Sequence, residues 1–230
     1  MSIADLSQPP RRARLAILIS GRGRNLAALI AAVGDGRIAA DIVAVISNRA
    51  DAGGLDLARA AGVPAMVIPH VDYPDRAAFD AALATVLRAL DADIIALAGF
   101  MRILTEGFVR EFEGRMLNIH PSLLPRHKGL NTHAAVLRDG DAEHGATVHF
   151  VTPQLDGGPL VIQGRFMVSA QDDAQQLAAR VLEQVECRIY PQAIAWMARG
   201  ELRCEQGELR FRNRPLTAAL GLDDLESAFR

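Results

Sequence analysis

Leu15-Ala16-Ile17-Leu18-Ile19-Ser20-Gly21-Arg22-Gly23-Arg24-Asn25 decides the architecture. Five apolar residues in a row, closed at once by a polar, glycine-rich turn, read as a buried strand of a parallel sheet. Leu26, Leu29, Ile30 and Val33 then recur at helical spacing, and Gly34 and Gly36 end that helix.

The same rhythm continues downstream. Residues 42–47 read as a strand, 55–61 as a helix closed by Gly62, 65–68 as a strand, 76–90 as a helix, and 93–98 as a strand closed by Gly99. Alternating strands and helices predict an α/β fold with a doubly wound, mostly parallel sheet. Ligands of such sheets bind beyond the carboxyl ends of the strands, which singles out residues 20–25, Asn48 and 99–104. The second half is mixed. Residues 116–119 form a strand leading into His120-Pro121-Ser122, and 145–151 and 160–168 alternate like further strands. Residues 174–197 predict a long amphipathic helix with a kink or break at Pro191, and 202–211 a hairpin around Gly207. The expected organisation is a disordered tail over 1–13, one domain over 14–213 with halves 14–113 and 114–213, and a C-terminal tail over 214–230.

With 230 residues, half of them hydrophobic, the chain can bury a sizeable core. A net charge of -2 gives no polyanion-binding surface, so no nucleic-acid partner is expected. No apolar run approaches the ~20 residues that span a bilayer. The first residues lack the apolar core of a signal peptide. Cys187 and Cys204 have no metal-ligand spacing and read as reduced thiols. No membrane partner and a cytoplasmic location are expected.

Two places carry chemistry. In the 21–25 loop, backbone N–H groups at a helix start can face an anion, and the glycines let the backbone approach it. The loop is neither the dinucleotide fingerprint, because Leu26 stands where the third glycine would, nor a Walker A loop. An ordinary tight turn capped by Asn25 fits it equally well. At the other place, Asn118 and His120 point to the same side at the end of a strand. An amide and an imidazole there can both donate to a developing oxyanion, and the imidazole can also give up a proton. Asp156-Gly157-Gly158-Pro159 alone is a turn. Brought to His120, its carboxylate would favour the charged imidazole and fix the ring's orientation. His133, His144 and His149 lack the spacing of a zinc site, so no metal is expected, and His149 reads as buried support.

Six stretches together resemble the folate-dependent formyltransferase family. They are Ile19 to Leu26, Leu97 to Leu104 (LAGFMRIL), Leu117 to Pro125 (LNIHPSLLP), Gly129 to His133 (GLNTH), Glu143 to Val151 (EHGATVHFV) and Leu155 to Pro159 (LDGGP). The likeness runs from about Leu15 to Trp196 and implies the family's Rossmann-like fold. It also implies 10-formyltetrahydrofolate as co-substrate and the amine of glycinamide ribonucleotide as acceptor, as in purine synthesis. The partners are then two small molecules, with the protein a monomer or homodimer. By position, His120 resembles the family's general acid, Asn118 its hydrogen-bonding companion, and Asp156 the carboxylate that assists it. Gly23, Arg24 and Asn25 fall where the family holds the ribonucleotide phosphate, and Glu186 where it holds the ribose. Arg76, Met101, Arg102, Ile103, Leu104 and Asn118 fall on the folate side, and 151–156 where the pterin is held. The 14–113 half would then bind phosphate, and the 114–213 half would hold folate and the catalytic groups. Arg24 departs from the small residue common in the family, which leaves its role open. Arg126-His127-Lys128 is more basic than the usual pattern.

Rival readings are a formyltetrahydrofolate hydrolase, a tRNA formyltransferase and a non-catalytic folate- or nucleotide-binding module. The first usually carries an additional N-terminal domain and the second a C-terminal RNA-binding one, and neither is expected here. The third has no use for a proton donor such as His120 beside an amide and a carboxylate.

Overall fold

Each residue of the 15–19 run alternates between the two faces of the sheet. Leu15, Ile17 and Ile19 enter one hydrophobic cluster, while Ala16 and Leu18 enter another. The strand is therefore buried on both sides, as its unbroken apolar run requires. In the computed structural model, which describes residues 11–230, this strand is β1 (Ala13–Ile19). It is followed by α1 (Arg24–Gly34), β2 (Ala40–Ser47), α2 (Gly54–Ala60), β3 (Ala65–Val67), α3 (Arg76–Ala89), β4 (Ile94–Leu97), α4 (Glu106–Glu111) and β5 (Met116–His120). Then come α5 (Thr132–Asp139), β6 (Glu143–Phe150), β7 (Leu160–Met167), α6 (Ala174–Arg180) and α7 (Cys187–Ala198).

The seven strands form one sheet in the order β3-β2-β1-β4-β5-β6-β7. The first five run parallel, and β6 and β7 are antiparallel to their neighbours. This is the doubly wound, mostly parallel sheet with a mixed second half. α1, α2 and α7 cover one face and α3 and α4 the other. The strand order reverses between β1 and β4, so the loops that follow them part there and leave a crevice. Ser20 and Gly99 sit at its mouth, with Ser20 N donating to Gly99 O at 3.1 Å.

Several expectations are corrected. Of the expected tail over 1–13, residues 1–10 lie outside the described residues, but Ala13 already opens β1. Arg11 pairs with Asp91 and Asp93, and Arg12 with Asp41. The long helix over 174–197 does not break at Pro191. It widens into a π-helical turn at Val181–Glu186, and α7 runs on through the buried proline. The adjustment that a proline demands of a helix sits in the wide turn ahead of it.

The hairpin is present as β8 (Leu202–Glu205) and β9 (Glu208–Phe211), extended by β10 (Arg214–Pro215) into a three-stranded antiparallel sheet. The segment 214–230 is not a loose tail. Leu225 and Phe229 are buried in the main core, and Leu220 bridges Ile162 on the outer edge of β7. Trp196 Nε1 also donates to Glu226 Oε1 at 3.0 Å. Among the described residues, no helix is long and apolar enough to cross a membrane.

Candidate active site

The glycine loop lies against the start of α2. Gly23 takes φ +76°, and a Cβ there would stand 2.7 Å from the Cα of Gly54, so this approach needs glycine. Gly54 N donates to Gly21 O at 3.0 Å and pins the loop. α1 begins at Arg24 with Gly23 as its cap, so Asn25 is not the cap that the turn reading supposed. Its side chain instead reaches 161 residues along the chain, Nδ2 donating to Glu186 Oε2 at 2.7 Å. Glu186 is buried at the end of the π-helical turn. Burial pushes its carboxyl pKa up, with Asn25 and the Arg24 charge opposing that. Arg22 and Arg24 are exposed. The loop thus presents a helix start, backed by a buried acid, to the crevice.

Asn118 and His120 leave β5 on one side, and Asp156 does come to them. Its Oδ2 lies 3.5 Å from His120 Nδ1 and accepts from Gly129 N at 2.8 Å, while its Oδ1 lies 3.7 Å from His149 Nε2. Asp156 sits at φ 44°, a conformation that aspartate tolerates in a turn. A Cβ on Gly158 would stand 1.9 Å from the Phe150 carbonyl oxygen, so the glycine lets the turn fold back onto β6. His120 is buried, and its Nε2 lies 2.9 Å from the His127 carbonyl oxygen. A ring with a proton on each nitrogen satisfies both neighbours at once.

His149 completes the set on the adjacent strand. Its Nδ1 lies 2.9 Å from the Phe150 carbonyl oxygen, which can only accept. That leaves Nε2 as an acceptor for Asn118 Nδ2 at 3.1 Å. One amide proton of Asn118 is thereby held, and the other stays free on a half-buried side chain. Burial, first of all, pushes the His149 pKa down and keeps the ring neutral.

The loop after His120 is held from β6 and β7. Thr147 Oγ1 donates to Ser122 O at 2.7 Å and accepts from Leu124 N at 3.1 Å, and Gln163 Nε2 donates to Leu124 O at 2.8 Å. The sequence reading missed Thr147, Gln163 and the His127 carbonyl. It placed His149 only as buried support. Thr147 and His149 stand opposite His120 and Asn118 in antiparallel register, and Gln163 stands beyond Thr147 on β7, so these partners are legible only once the β5–β6–β7 pairing is known.

Beside Asn118 opens a pocket lined by Leu97, Phe100, Arg102, Ile103, Leu104, Val109, His149 and residues 151–156. Arg102 lies over the Phe79 ring, 5.5 Å from its centroid, and its Nε is buried without a partner. Met101 is exposed at the rim and does not line the pocket, and neither does Arg76, which is exposed at the start of α3. His133 and His144 meet at 2.8 Å between ring nitrogens. Among the described residues no group of three or more His, Cys, Asp or Glu is placed to hold a metal.

A family model described as formyl transferase matches residues 13–194, from the first residue of β1 into α7. The chain belongs to the formyl transferase family. Phosphoribosylglycinamide formyltransferase of Escherichia coli (strain K12) is 45% identical over 192 residues, 84% of this chain and 90% of that protein. The trifunctional purine biosynthetic protein adenosine-3 of Bos taurus is 48% identical over 197 residues, 86% of this chain but 19% of that protein. The solved structure of the Coxiella burnetii phosphoribosylglycinamide formyltransferase superimposes with a TM-score of 0.86 at 44% identity, over 91% of this chain and 100% of that one. As a formyl transferase, the chain is an enzyme whose loop, Asn–His–Asp set and pocket open on one crevice.

Proposed function

We propose that this enzyme transfers the formyl group of 10-formyltetrahydrofolate to the amine of glycinamide ribonucleotide, giving the N-formyl ribonucleotide and tetrahydrofolate. The meeting of Asn118, His120 and Asp156 between the glycine loop and the pocket carries the reading. It sets an acid and an amide donor at the wall of an apolar groove.

The glycine loop, with Gly23, Arg24 and Asn25, takes the phosphate, and Glu186 takes the ribose hydroxyls. Arg102, Ile103, Leu104 and the 151–156 loop enclose the pterin end of the folate. Met101 and Arg76 lie further out, toward the folate's glutamate tail. The amine nitrogen attacks the formyl carbon, and charge gathers on the formyl oxygen. The free amide proton of Asn118 and the Nδ1 proton of His120 both donate to that oxygen. Nε2 of His120 is engaged by the His127 carbonyl, so Nδ1, held only loosely at 3.5 Å by Asp156, is the nitrogen with a proton to give. Such donors are each worth about 3 kcal/mol to a developing oxyanion. The amine then loses its proton, the folate N10 gains one, the carbon–N10 bond breaks and the formyl amide remains. Asp156 holds the imidazolium and guides the proton between the two nitrogens.

The test supplies 10-formyltetrahydrofolate to the purified protein with and without glycinamide ribonucleotide and follows tetrahydrofolate. Release that requires the ribonucleotide is the expected result. Equal release without it would replace this reading with hydrolysis.

A further inference from the structure

The loop that carries residues 101–104 is held at each end by a buried side chain. At its start Met101 N donates to Ser20 Oγ at 2.7 Å, and just past its end Thr105 N donates to Asp80 Oδ2 at 2.6 Å. Ser20 is 8% exposed and Asp80 2%. The two supports differ in what else they hold. Asp80 belongs to α3, and its other carboxylate oxygen has no hydrogen-bond partner.

Ser20 is the last residue before the glycine loop, and its hydroxyl is a junction. It accepts from Met101 and donates to Asn48 Oδ1 at 2.6 Å. Asn48 Nδ2 in turn lies 3.1 Å from His70 Nδ1, in the segment that leads to α3. The Ser20 N–H reaches across the crevice to Gly99 O, and the next residue, Gly21, is fastened to Gly54. One buried hydroxyl therefore stands where the segment opening the anion side meets the segment lining the pocket.

We propose that Ser20 is a positioning residue shared by the two substrate subsites, its hydroxyl holding the glycine loop and the 101–104 loop in register across the crevice between β1 and β4. The inference rests on the formyl-transfer reading above. Removing the hydroxyl strips Met101 N–H of its acceptor and Asn48 Oδ1 of its donor, so the side-chain link across the crevice is lost and the two loops keep only the backbone bonds of Ser20 N to Gly99 O and Gly54 N to Gly21 O. Removing Asp80 frees only the far end of the 101–104 loop.

Steady-state kinetics with both substrates, on wild type, Ser20→Ala and Asp80→Ala, separate these outcomes. Ser20→Ala raises KM for both substrates by about threefold to tenfold, the size of one lost hydrogen bond. Its kcat stays within about twofold, because Ser20 touches none of Asn118, His120 and Asp156. Asp80→Ala raises KM for the folate alone. Ser20→Ala decides the matter by itself. A raised KM for only one substrate, or unchanged KM values with or without a fall in kcat, overturns the proposal. A wild type that does not pass formyl to the ribonucleotide sinks the underlying reading instead. A wild type that turns over normally beside an unaltered Ser20→Ala sinks only this inference.

Discussion

His144 shows what burial does to a titrating side chain. Burial, with help from His133, pushes its pKa down to about 4, and burial likewise lowers His133 and His149. In the unfolded chain each would titrate near its ordinary value of about 6.5. Below that value the unfolded state takes up protons that the folded state refuses. Stability from these rings is therefore complete above pH ~6.5 and lost as pH falls toward the folded values. Glu186 runs the other way, since its raised folded pKa adds stability that is lost as pH rises through that value. The urea midpoint is expected to fall between pH 7.5 and pH 5, and His144→Gln to remove part of that slope. An unchanged slope in His144→Gln would contradict the account of this ring.

Among the elements, the turn that delivers Asp156 has little tolerance for a side chain. Alanine at Gly158 would drive a Cβ to 1.9 Å from the Phe150 carbonyl oxygen. Gly158→Ala is expected to destabilise the fold by at least ~2 kcal/mol and to lower kcat as Asp156 moves, checked by denaturation and turnover on one preparation. A variant with wild-type stability and turnover would show that the turn relaxes freely. Elements were legible where the sequence carried a strong period. β1, β2 and β4 each contain an unbroken apolar run, at 15–19, 42–46 and 94–97, and α3 keeps its stripe for 14 residues behind an Asp75 cap. α4 and α5, of six and eight residues, were missed. Both are too short to show a stripe, and α5 is preceded by Asn131 at φ 58°, whose side chain does not cap it. The wide turn at Val181–Glu186 left no local signal beyond Pro191, five residues after it ends.

At the scale of the whole molecule, pairing across the chain makes the site. Asn118 and His120 were readable as a pair because two residues on a strand share a face. The approach of Asp156 depends on β6 lying antiparallel beside β5 and on the turn folding back over it. The partnership of Asn25 with Glu186 depends on α1 packing against the π-helical turn. Neither contact has a local signature: Asp156 by itself reads as a turn and Asn25 as a cap, and Glu186 entered the reading only through the likeness to a family. The 214–230 segment illustrates the same limit, because its value lies in covering β7 and burying Leu225 and Phe229. Burial of each such side chain is worth about 1.5–3 kcal/mol.

The central claim is that the Asn–His–Asp set performs formyl transfer, and the single-turnover rate of Asp156→Asn with both substrates saturating tests it most directly. The account predicts a rate at least ~100-fold below wild type, the scale of a lost charge-stabilising group in a transition state, with the affinity for each substrate within a few-fold of wild type. A rate within about tenfold of wild type at unchanged affinities would contradict it, because Asp156 would then hold His120 without serving the reaction.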